Sequence, residues 1–124
     1  MSSESLHEAA EKLSPATIDR HRATISLMEE LEAIDWYDQR IDAATDDTLK
    51  AILRHNRDEE KEHAAMVLEW LRRQDPVLDQ QLRTYLFKDG DIMSTEAEAE
   101  GGGGDDPTGE TLGIGDLRSE EVAP

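Results

Sequence analysis

The chain has 124 residues, no cysteine, and 13 basic against 30 acidic side chains, a formal net charge of −17. This excess of acid argues against nucleic acid or an anionic membrane as a partner, since their ligands carry basic patches, and it is compatible with binding cations. Because the chain has no cysteine, thiolate chemistry is excluded and any metal ligands must be oxygen and imidazole. The chain has neither an apolar run of roughly 18 residues nor a signal-like N-terminus, so we expect a cytoplasmic protein.

The first predicted helix follows a segment, 1–13, for which the sequence predicts disorder. Ser14 supplies an N-cap hydroxyl, and Pro15 occupies the first helical position, where its missing N–H costs nothing. From there to about Ala44 no glycine or proline intervenes. Apolar residues recur at the helical spacings of three, four and seven: Ile18, Ile25, Met28, Leu31, Ile34 and Ile41.

A second long helix is predicted after the short polar break at 45–48. Its apolar row runs from Leu49 to Leu71, and the helix continues to about Arg73. The tight connection predicts an antiparallel hairpin. Because the residue before a proline disfavours the α region, Asp75 ends this helix, and Pro76 opens a shorter third helix that stops at Gly90.

The character of the sequence changes at about residue 94. We therefore assign 14–93 to the helical domain and 94–110 to an acidic flexible linker, since the linker has no large apolar side chain and many like charges. Apolar residues reappear in T-L-G-I-G-D-L-R at 111–118, a pattern typical of a docking peptide, and 119–124 form a short tail.

Three polar side chains interrupt the apolar rows of the long helices. Glu60 and His63 lie on the predicted apolar face of the second helix, and Glu30 lies on that of the first. An unpaired buried carboxylate loses hydration worth roughly several kcal/mol, so each needs a partner or a raised pKa. A divalent cation is one such partner, and this donor set suits iron, manganese or zinc better than calcium. The alternative is that Glu60 pairs with a distant base and His63 is an ordinary core histidine.

A second copy of the chain would complete such a site. Two chains related by a two-fold axis supply four carboxylates, whose charges neutralise two divalent metals. The same dimer converts two hairpins into a four-helix bundle and enlarges a small core. Tyr37, further along the row of Glu30, is predicted either to donate a hydrogen bond beside the metals or simply to pack.

A neighbouring row of the first helix carries Glu29, Glu32 and Trp36 at spacings of three and four. These side chains could form an acidic access path or a second metal site. A solvated acidic face explains the same pattern equally well.

These segments together resemble the encapsulated ferritins, the cargo of bacterial encapsulin nanocompartments. The resembling segments are M-E-E-L-E-A-I-D-W-Y-D-Q-R at 28–40, H-N-R-D-E-E-K-E-H-A-A-M-V-L-E-W-L-R-R at 55–73, and L-R-T-Y-L-F at 82–87. The segment L-G-I-G-D-L-R, Leu112 to Arg118, resembles the encapsulin-targeting peptide.

The resemblance implies an all-α subunit, a two-helix hairpin plus a short C-terminal helix, that dimerises into a ferritin-like four-helix bundle and assembles into a ring, typically a decamer. It implies a ferroxidase that oxidises Fe(II) with dioxygen, with two irons at each dimer interface, and that delivers iron to a cytoplasmic encapsulin nanocompartment. The family's ferroxidase ligands match Glu30, Glu60 and His63, with Tyr37 nearby, and its metal-access residues match Glu29 and Glu32, with Trp36 beside them. The competing hypothesis is a non-enzymatic helical interaction or cargo module without a di-metal site.

Overall fold

The computed structural model describes residues 6–103, and its regular secondary structure in that range consists of helices joined by short connections. A single 3₁₀ turn at Ala10–Lys12, within the segment predicted to be disordered, precedes four helices: α1 (Pro15–Ala43), α2 (Asp47–Gln74), α3 (Pro76–Tyr85) and α4 (Ile92–Gly103). The predicted all-α fold class is confirmed. Within 6–103, no helix has the length and apolar character needed to cross a membrane.

Helix α1 begins where the sequence predicts. The Ser14 side chain accepts a hydrogen bond from the Thr17 N–H at 3.1 Å, which satisfies one of the unpaired donors of the first turn. Pro15 occupies the first helical position. The helix ends at Ala43, and the Ala44 N–H still donates to the Arg40 carbonyl at 2.9 Å.

Helix α2 turns back along α1 after a connection of only three residues, 44–46. The Asp46 carboxylate caps α2 by accepting from the Leu49 N–H at 2.8 Å. Farther along, Nη1 of Arg57 donates to Oδ1 of Asp38 on α1 at 3.0 Å, which ties the two helices together. The predicted antiparallel hairpin is therefore the body of the first compact unit.

The hairpin of a single chain buries few apolar side chains. Among the described residues, the buried apolar side chains are Ile41, Ala64 and Leu71. Large apolar side chains of α1 and α2 remain exposed: Met28, Leu31, Trp36, Leu49, Ile52, Met66 and Trp70. Monomeric soluble proteins rarely expose so many large apolar side chains on one pair of helices. These faces of α1 and α2 are therefore marked as contact surfaces.

The second compact unit contains α3 and α4 and departs from the sequence prediction at two points. Helix α3 ends at Tyr85, before the predicted stop at Gly90, because Phe87 has φ of 61°, a left-handed conformation incompatible with an α-helix. Residues 94–103, predicted as flexible linker, belong to α4. There the Asp91 carboxylate accepts from the Ser94 N–H at 2.9 Å, and the alternating Glu and Ala that follow are strong helix formers. Residues 104–124, including the predicted peptide at 111–118 and the tail, lie outside the described range.

Candidate metal centre

The three predicted ligands lie at the middle of the hairpin. Helix α1 runs from 15 to 43, so its central residue is 29, and Glu30 follows directly. Helix α2 runs from 47 to 74, so its centre lies between 60 and 61, at Glu60. His63 follows Glu60 by three residues, which places both side chains on one face of α2. Antiparallel pairing therefore brings Glu30 opposite Glu60 and His63, about midway between the two ends of the hairpin.

The side chains converge on the imidazole of His63. Its Nδ1 lies 3.3 Å from Oε1 of Glu60 and 3.6 Å from Oε1 of Glu30. One potential ligand atom from each of the three residues falls within 4.8 Å of the other two. The sequence therefore identified a set of residues that the fold brings together.

The two carboxylates differ in their tendency to hold a proton. A hydrogen bond from Glu30 to Glu60 raises the pKa of Glu30, and partial burial and the negative charge of Glu60 act in the same direction. The same hydrogen bond lowers the pKa of Glu60, because it stabilises the ionised form. As the pH falls, Glu30 is therefore protonated before Glu60.

His63 responds to the surrounding negative charge. Desolvation lowers the pKa of His63, but the hydrogen bond to Glu60 and the charges of Glu30 and Glu60 outweigh it, so the net shift is upward. In the described part of the chain, His63 is the basic side chain in ion-pair contact with Glu30 and with Glu60. Within the described residues, neither carboxylate forms an ion pair with a lysine or an arginine, so both could serve as ligands to a cation.

The site is open on one side. The side chains of Glu30 and Glu60 are 24% and 26% exposed, and that of His63 is 41% exposed. The face of α2 that the sequence predicts to be dry is therefore only half-covered by α1. A second surface laid over this side would remove the site from water.

The donor set suits a divalent transition metal. Two carboxylates supply hard oxygen ligands and Nδ1 of His63 supplies a borderline nitrogen, a combination used for iron, manganese and zinc. The three groups are close enough to act as ligands to one ion. Three ligands would leave further coordination positions open.

One feature of the site was not predicted. Nε2 of His63 points away from Glu30 and Glu60 and lies 3.9 Å from Oε1 of Glu59. Glu59, Glu62 and His63 also form a second group of potential ligands, on the exposed side of α2. The spacing 59, 62, 63 carries this signal in the sequence, and in the structure both glutamates are exposed.

The outer residues are arranged differently from the three central ligands. Tyr37 is half-buried, and the Arg40 guanidinium lies 5.4 Å from its ring and 6.0 Å from that of Trp36. Glu29 and Glu32 are exposed, and within residues 6–103 neither joins a group of three metal-binding side chains. The structure of one chain is thus compatible with both interpretations of Glu29 and Glu32, an acidic access path for metal and a solvated acidic face.

Comparison with known sequences places this geometry in a family. The sequence profile of the EncFtn-like family matches residues 5–89. The chain is 59% identical over 128 residues to the "Encapsulated ferritin-like protein" of Rhodospirillum rubrum, covering 96% of this chain and 91% of that one. It is 46% identical over 52 residues to the "Encapsulin nanocompartment cargo protein EncC" of Myxococcus xanthus, covering 42% of this chain and 40% of the other.

A solved structure agrees with the fold. Protein ne0167 of Nitrosomonas europaea superimposes with a TM-score of 0.69 at 60% sequence identity. The alignment covers 70% of this chain and 96% of that protein. The similarity therefore extends through nearly the whole of the solved chain.

Proposed function

This chain belongs to the EncFtn-like family, and from that premise we propose that it is a ferroxidase whose di-iron site forms between two subunits. Its substrates are Fe(II) and dioxygen, and its product is Fe(III). Two Fe(II) ions bound side by side supply one electron each to the same dioxygen molecule, which takes up two protons from water and leaves as hydrogen peroxide. The observation that carries this proposal is the convergence of Glu30, Glu60 and His63 at the centre of an open hairpin face.

The position of the site supports a dimer. A two-fold axis that lies against the open face of the hairpin, perpendicular to the helices and level with the site, stacks two hairpins along their full length. The axis then brings together two half-sites, each with two carboxylates and one imidazole. The resulting four-helix bundle covers the exposed apolar side chains beside the site and encloses the half-open ligands.

Each residue has a defined task in this arrangement. Glu30 and Glu60, both in the ionised form, supply the negative charge that neutralises the bound irons. Nδ1 of His63 points into the site and acts as the nitrogen ligand. We assign to Tyr37 a hydrogen-bonding role beside the irons, and to Glu29 and Glu32, next to Trp36, the capture of Fe(II) on its way in.

The names of two relatives support a proposal about assembly and location. The relative in Rhodospirillum rubrum is named as encapsulated, and the Myxococcus xanthus relative is named as nanocompartment cargo. We propose that dimers of this chain assemble into a ring, a decamer in the simplest case, and that Leu112–Arg118 docks the ring inside a cytoplasmic encapsulin shell. The helical domain at 14–93 then carries the chemistry, and the shell stores the oxidised iron.

Oxygen consumption after addition of Fe(II) tests the ferroxidase assignment. Glu60→Ala, Glu30→Ala and His63→Ala should each lose most of the wild-type rate. Glu62→Ala is the matched control, because Glu62 lies on the same helix two residues away but at the exposed surface, and it should keep that rate. A wild-type rate in Glu60→Ala rejects the assignment, and a loss confined to Glu62→Ala moves the site to the exposed group.

Two measurements separate the remaining parts of the proposal. Deleting 112–118 should abolish co-purification with a co-expressed shell protein and leave iron oxidation intact, whereas unchanged co-purification rejects the docking role. A non-enzymatic interaction module predicts no stoichiometric iron after reconstitution and no effect of chelator on the native mass spectrum.

A further inference from the structure

The face of α2 that carries His63 and Glu59 also carries two large apolar residues, Ile52 and Trp70. Ile52, His63 and Trp70 follow one another at spacings of eleven and seven residues, which place them on one face of a helix. Ile52 is 52% exposed and Trp70 is 39% exposed. The imidazole of the site is thus flanked, toward each end of the helix, by a large apolar side chain that its own chain leaves in water.

A groove lies beside Trp70. It has a volume of about 280 Å³ and an apolar floor between α1 and α2. Its lining residues come from the beginning of α1 and the end of α2: Arg22, Ala23, Ser26, Met66, Val67 and Trp70. Ser26 precedes Glu30 by four residues and Val67 follows His63 by four, so the groove continues the open face of the metal centre by one helical turn.

The positions of Ile52 and Trp70 are symmetric about the site. Their midpoint is residue 61, between Glu60 and His63. Each lies nine residues from that midpoint, or about 13.5 Å along the helix axis at 1.5 Å per residue. A two-fold axis through the site therefore brings Ile52 of one copy to the same height as Trp70 of the other.

We propose that, in the dimer, Ile52 of each subunit packs into the groove beside the partner subunit's Trp70. The inference rests on the proposed two-fold site and specifies the register in which two copies meet. The contact occurs twice, once on each side of the metals, because a two-fold interface is self-complementary. The two contacts close both ends of the site against water.

Cross-linking tests the register in a chain that has no cysteine of its own. The double variant Ile52→Cys/Trp70→Cys, treated under nitrogen with a short bis-maleimide in the presence of Fe(II), should run as a covalent dimer on a denaturing gel. Each single variant should remain a monomer, because equivalent residues of two copies lie about 27 Å apart along the axis. The same spacing prevents a link within one chain.

The matched control uses the opposite side of the same helix. Arg54 and Leu68 also have residue 61 as their midpoint, but they lie two residues, or about 200°, away from Ile52 and Trp70 on the helix. The variant Arg54→Cys/Leu68→Cys should give no covalent dimer. Equal cross-linking of this control, a dimer from either single variant, or a ladder of longer polymers from the double variant overturns the proposed register.

A second variant tests the contact without introducing thiols. Ile52→Glu places a charge in the apolar groove and should reduce the dimer fraction at least tenfold in native mass spectrometry with Fe(II), while Arg54→Glu should leave it unchanged. Equal dimer fractions in the two variants overturn the contact. If wild-type iron oxidation depends on Glu60 while both register tests are negative, this inference falls and the proposed function stands. If neither activity nor a dimer is found, both fall.

Discussion

Replacing Glu30 by glutamine should stabilise the metal-free protein while abolishing iron oxidation. In the wild type, two carboxylates approach one another without a lysine or arginine in ion-pair contact with either within the described residues. An amide at position 30 removes one negative charge, and its N–H can donate to Glu60 as the protonated Glu30 carboxyl does at low pH. The variant therefore keeps the geometry and loses the repulsion.

The magnitude follows from the separation of the charges. Unit charges up to 4.8 Å apart repel one another by about 0.9 kcal/mol in water and by about 3.5 kcal/mol at an effective dielectric constant of 20. Because the two carboxylates are still about a quarter exposed, solvent screening favours the lower value. We expect a gain of about 1 kcal/mol, which raises Tm by about 4 to 8 °C for a domain of this size.

Thermal unfolding followed by circular dichroism, in chelator, measures this gain. The pKa of Glu30 is raised in the folded protein, so the protonated fold is favoured at low pH and wild-type stability falls as the pH rises through 4.5 to that raised pKa. The advantage of Glu30→Gln should therefore be present at pH 8 and vanish near pH 4. Glu62→Gln, an exposed control, should match the wild type at both pH values.

Addition of Fe(II) under nitrogen should reverse the order, since a ligand that binds only the native wild-type site stabilises only the wild type. The reasoning is refuted if Glu30→Gln melts at or below the wild-type temperature in chelator at pH 8.

Other changes test how the hairpin and its capping groups are held. Asp46→Ala removes the N-cap of α2 and should cost about 1 kcal/mol of unfolding free energy in urea titration, whereas an unchanged midpoint contradicts the cap. In a double-mutant cycle, Arg57→Ala and Asp38→Asn should couple by less than about 1 kcal/mol, because the pair is partly exposed. Hydrogen bonds from two arginines hold the pKa of Glu69 at about 2, so their contribution should be complete above pH 4.5 and lost as the pH falls toward 2. Glu69→Gln should flatten stability between those pH values, and an identical pH profile contradicts the ion pairs. Ala97→Gly, which replaces a strong helix former inside α4, should lower the helical content measured by circular dichroism, and an unchanged spectrum contradicts a stable helix there.

The sequence predicted the long helices because local chemistry fixes their ends. A serine cap followed by proline starts α1, and the residue before Pro76 closes α2 within one position of the prediction. The prediction was less successful for α4, because it relied on the lack of apolar side chains. Helix formation by alternating Ala and Glu depends on backbone propensity and the Asp91 cap, and it needs no core.

The three candidate metal ligands could also be identified from the sequence. Glu30, Glu60 and His63 interrupt apolar rows, where a charged side chain needs a partner. Periodicity says which face a residue occupies, and antiparallel pairing then brings the two rows together. What only the tertiary structure decided is how these side chains interact: Nδ1 of His63 faces the two carboxylates, Nε2 faces Glu59, and the pKa of Glu30 is raised while that of Glu60 is lowered. These outcomes depend on rotamers and on distances of a few ångströms between two helices, which helical spacing does not specify.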